Sequence, residues 1–80
     1  MTIQEFTQSY CTPQNADHKP RTIDLQNQVA DMLNSTIVLD RRGRIEACKR
    51  IVSAELEVYD KSLPDYTFIE GMRAALDEVE

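Results

Sequence analysis

The feature that most restricts this chain is the spacing of its apolar residues between positions 45 and 63. Ile45, Cys48, Val52, Leu56, Tyr59 and Leu63 step by 3, 4, 4, 3 and 4. That rhythm places them on one stripe of an α-helix, in a seam like that of a coiled coil. Ile51 widens the stripe, and the intervening Glu, Lys, Arg, Ser, Ala and Asp suit a solvated face. Asp40 would cap this helix. Alternatively it starts near Ser35 and runs through Gly43, at a cost of about 1 kcal/mol relative to Ala. Pro64 bounds its far end.

A second seam follows. Ile69, Met72, Leu76 and Val79 step by 3, 4 and 3, flanked by Phe68 and Ala75. Thr67-Phe68-Ile69-Glu70 has the capping-box pattern, with Asp65 as an alternative cap. Gly71, Ala74 and Ala75 are small enough to let a neighbouring helix come close. A short connection between two such seams predicts an antiparallel αα-hairpin.

Upstream, Leu25, Val29, Met32 and Leu33 recur at helical spacing and predict a shorter helix over 23–34, with Thr22 as N-cap and Asp24 in its first turn. Asn34-Ser35-Thr36 interrupts it, because these side chains compete for backbone hydrogen bonds. Thr36-Ile37-Val38-Leu39 is the one strand-like run, too short to separate strand, connector and first turn of the next helix. At the start, Thr2-Ile3-Gln4-Glu5 is another capping box, and a short helix there would align Ile3, Phe6 and Tyr10. Pro13 ends it by Thr12. Residues 11–21 hold two prolines and no aliphatic residue larger than Ala, so they read as an extended linker. The expected organisation is therefore an N-terminal arm and linker at 1–21 and a helical domain at 22–80. The expected fold class is all-α, a helical hairpin plus one additional short helix and an extended arm.

Eighty residues form one small core, which seldom leaves more than about 3–5 kcal/mol of net stability. Partner chains are the expected reinforcement. Met1–Tyr10 has no basic stretch or apolar run of a signal peptide, so Cys11 and Cys48 are expected as free thiols in a reducing interior. No run approaches the length of a membrane span.

Candidate chemistry is sparse. His18 is the only histidine, and a polar linker offers no scaffold to hold it against Cys11 as a nucleophilic pair. Three Cys and His residues fall short of a four-ligand structural zinc site. Glu55, Glu57, Asp60, Asp77, Glu78 and Glu80 fall mostly on polar faces rather than in a cleft that would tune them. Phosphate-cradling glycine motifs are absent. The expectation is no catalysis, no cofactor, no metal and no small-molecule substrate.

Charge is uneven. The net is −5, yet residues 41–50 hold Arg41, Arg42, Arg44, Lys49 and Arg50 against Glu46 alone. Arginines at a helix N-terminus face an unfavourable macrodipole. Either acids of the same fold offset them, with Asp31, Asp40 and the Asp77–Glu80 end in reach, or an anionic partner does. Arg41, Arg42, Arg44 and Lys49 are the expected anionic-partner contact. Leu25, Val29, Ile37, Leu39, Tyr59 and Phe68 are the expected apolar interaction face. A helix, a break and an Arg-led helix also outline a helix-turn-helix, but the acidic balance opposes phosphate binding. Conversely, the acidic 51–80 region has the charge of a nucleic-acid mimic.

The Arg-led helix (Arg41, Arg42, Arg44, Ile45), the short turn, and the run Asp65-Tyr66 … Ile69-Glu70-Gly71-Met72-Arg73-Ala74-Ala75-Leu76 resemble small helical-hairpin proteins from the head-assembly region of tailed bacteriophages. The resemblance covers about half the chain. It implies a non-enzymatic virion or accessory structural protein, located in the bacterial host cytoplasm or the virion, with protein partners in a homo- or hetero-oligomer. The alternatives are a small acidic inhibitor of a host enzyme or defence complex, and a DNA-binding regulator acting through Arg41–Arg50.

Overall fold

The computed structural model describes residues 1–12, 18–35, 37 and 40–80. Its described residues form four α-helices and no strand: α1 (Ile3–Tyr10), α2 (Pro20–Asn34), α3 (Arg41–Val58) and α4 (Pro64–Leu76). The all-α expectation holds. α3 packs between α2 and α4, which lie on either side of it, while α1 closes over α2 and α4.

Local signals explain most of the starts. Thr2 Oγ1 accepts from the Glu5 N–H and Glu5 Oε1 accepts from the Thr2 N–H, each at 3.1 Å, so the first capping box forms as its pattern predicts. α3 starts at Arg41, with Asp40 Oδ1 accepting from the Gly43 N–H at 2.7 Å; the Ser35 start is not used. α2 and α4 both begin on a proline, where the fixed φ is already helical and the missing N–H costs nothing.

Three boundaries are corrected, two of them by these prolines. α2 starts at Pro20, so Thr22 is a buried helical residue rather than an N-cap. α4 starts at Pro64, so Thr67 lies inside it and Asp65 sits in its first turn. α3 stops at Val58, well before Pro64. Tyr59 is buried and Leu63 packs against the core although the helix has ended, and between them Asp60 Oδ1 accepts from the Ser62 N–H and hydroxyl at 2.9 and 2.7 Å.

The core draws on all four helices: Phe6 from α1, Leu25, Val29 and Leu33 from α2, Ile45, Cys48 and Val52 from α3, and Ile69, Met72, Ala75 and Leu76 from α4. Phe6 is fully buried, and burying a side chain of that size is worth about 3 kcal/mol. The first helix therefore belongs to the same core as 22–80. Gln26 fastens it further, its side-chain N–H donating to the Tyr10 carbonyl at 2.6 Å. The arm is locally helical and docked. Residues 13–17 of the linker, and Thr36, Val38 and Leu39 of the strand-like run, lie outside the described residues.

Candidate functional site

Two ends of the molecule carry the polar groups that matter, and their states are opposite. At one end three helix termini converge on Asp65. His18 Nδ1 lies 2.9 Å from Asp65 Oδ1. The Lys19 N–H and the Thr22 hydroxyl donate to Oδ2 at 2.8 and 2.7 Å, and the Tyr59 hydroxyl at 3.2 Å. Thr22 and Tyr59 also meet each other at 2.7 Å. Asp65 thus lies in the first turn of α4 and against the start of α2, where both helix dipoles favour an anion. Burial pushes its carboxyl up, but the bonds from His18, Lys19 and Thr22 outweigh burial and hold it at about 2.

Aromatic rings cover this cluster. His18 tilts over Phe68 with centroids 4.2 Å apart, Phe68 meets Tyr10 at 5.6 Å, and Tyr10 stacks on Phe6 at 5.1 Å. The ladder runs from the buried end of α1 to the imidazole. His18, read from the sequence as part of an extended polar linker without a scaffold, is held by a carboxylate and a ring that lie in α4.

His18, Lys19, Pro20, Leu63, Pro64 and Asp65 line an open cleft of about 610 Å³. An imidazole oriented by a carboxylate can act as a general base on a group brought within hydrogen-bond reach. The nearby hydroxyls of Thr22 and Tyr59 are bonded to Asp65 instead. The arrangement ties the turn before α4 to the start of α2. Among the described residues no three His, Cys, Asp or Glu side chains are grouped as metal ligands. Both thiols are raised to about 11: burial, then Cys48, act on Cys11, and burial acts on Cys48. Both are therefore protonated near neutrality and poor nucleophiles. The Cys48 thiol donates to the Val29 carbonyl at 3.6 Å.

The other end is the start of α3. The hairpin brings the acidic C-terminal turn of α4 alongside, and Lys49 pairs with both Glu46 and Asp77 at 3.3 Å. Arg73 shares Asp77 at 2.9 Å and donates to Ser53 at 2.8 Å. Hydrogen bonds from Arg73 and Lys49 lower the Asp77 carboxyl below its ordinary value. Lys49, expected to contact a partner, is thus engaged within the fold. Arg44 is half-buried and has a contact of its own. Arg41 and Arg42 are exposed, and no ion pair or hydrogen bond engages their side chains among the described residues. Arg50, left out of the expected set, is in the same condition. Its place on one row with Arg42 and Glu46 was readable from the spacing of four.

The expected apolar face divides. Leu25, Val29 and Tyr59 are buried at 3%, 0% and 7% exposure; these three belong to the core, because α2 turns its apolar stripe onto α3. Phe68 is half-buried in the aromatic ladder. Leu39 lies outside the described residues. Of the five that are described, Ile37 alone is fully presented, at 90% exposure. No described helix is long and apolar enough to cross a membrane. No protein-family model matches the chain, and neither a curated protein nor a solved structure shows significant similarity to it.

Proposed function

We propose that this chain is a non-enzymatic protein-interaction module, an accessory or structural component of the kind found among the head-region proteins of tailed phages. The carrying observation is the pair Arg41 and Arg42, exposed and without ion-pair partners among the described residues, at the one helix end where cations are disfavoured. A solvated arginine at such a place lowers stability by about 0.3–1 kcal/mol. A contact that uses the charge gives the placement a purpose.

Affinity capture on a tagged copy in its native cells tests this reading. The expected result is one protein retained at fixed stoichiometry, or the chain itself found at fixed copy number in purified particles. The opposite result is retention of DNA at low salt that disappears in Arg42→Ala, which would make the chain a regulator. Co-purification with a single host enzyme, with loss of that enzyme's activity, would make it an inhibitor.

A further inference from the structure

We draw no further inference here: the strongest candidate, the open cleft between the starts of α2 and α4 that His18, Lys19, Leu63 and Asp65 line, belongs to the site already described, and the polar side chains buried beside it bond to one another and point to no ligand.

Discussion

Replacing Asp65 by Asn keeps the shape of the side chain and removes its charge, so it isolates what the carboxylate contributes. The folded protein holds this carboxyl at about 2, against an ordinary value of 3.8. Each tenfold change in proton affinity corresponds to about 1.4 kcal/mol, so the folded state gains about 2 kcal/mol from the ionised form. Because the folded value is depressed, this stability is fully present above about pH 4. It is lost as pH falls toward 2. Set against a net stability of about 3–5 kcal/mol for a core of this size, the loss is large. At pH 7 Asp65→Asn should lower the melting temperature by about 8–16 °C, at about 4–8 °C per kcal/mol. Urea denaturation of both proteins from pH 7 to pH 2 should show the gap between them closing below pH 4. Glu5, Asp60 and Asp77 are also lowered by hydrogen bonds in the fold, but they titrate in both proteins and cancel in the difference. A gap that stays constant across the acid range, or no gap at neutral pH, would refute the reasoning.

Three further substitutions probe separate parts of the fold. Phe6→Ala should destabilise by about 3–5 kcal/mol, enough to unfold the whole domain cooperatively in a calorimetric scan, because Phe6 is fully buried among core residues of the other helices. Gly71→Ala should stabilise by up to about 1 kcal/mol, since a methyl there meets only the Tyr10 ring and hydroxyl at an ordinary 3.8 Å; a lower denaturation midpoint would mean that Tyr10 cannot tolerate the contact. Arg41→Glu with Arg42→Glu should raise stability by about 1 kcal/mol, read as an upward shift in urea midpoint, because it places anions at the start of α3.

The parts of this fold that the sequence displayed are those written in local spacing. The hairpin followed from apolar steps of three and four, and α1 from the reciprocal Thr2–Glu5 pattern. What spacing could not display was the partner of each polar residue. His18, Lys19 and Thr22 look like linker and cap because Asp65 lies more than forty residues away in the chain. Tyr59 and Leu63 prolonged the apparent helix because they continue its steps of three and four in the sequence, although α3 ends at Val58. Leu25 and Val29 form a stripe that would serve equally well as an outer face or an inner one. Only the position of α3 settles which. Ile37 and Arg41 were legible as outward-facing residues, and both are exposed.

The contrast between the two ends of α3 bears on where function resides. At the Tyr59 end nearly every polar group is bonded within the chain: Asp65 accepts from four groups, and Arg21 is held against Glu55 while lying over the Tyr59 ring. Local choices there agree with the fold and strengthen it. At the Arg41 end they conflict. Asp40 caps the helix as stability would require, yet the next two residues place positive charge against the same dipole, in a cleft that Glu46, Asp77 and Glu80 also line. Natural sequences break such rules chiefly where a site demands it. Were the start of α3 merely a tolerated flaw, reversing Arg41 and Arg42 would raise stability at no loss of any binding; the coupling of a gain in melting temperature to a loss of partner is what separates a site from a flaw.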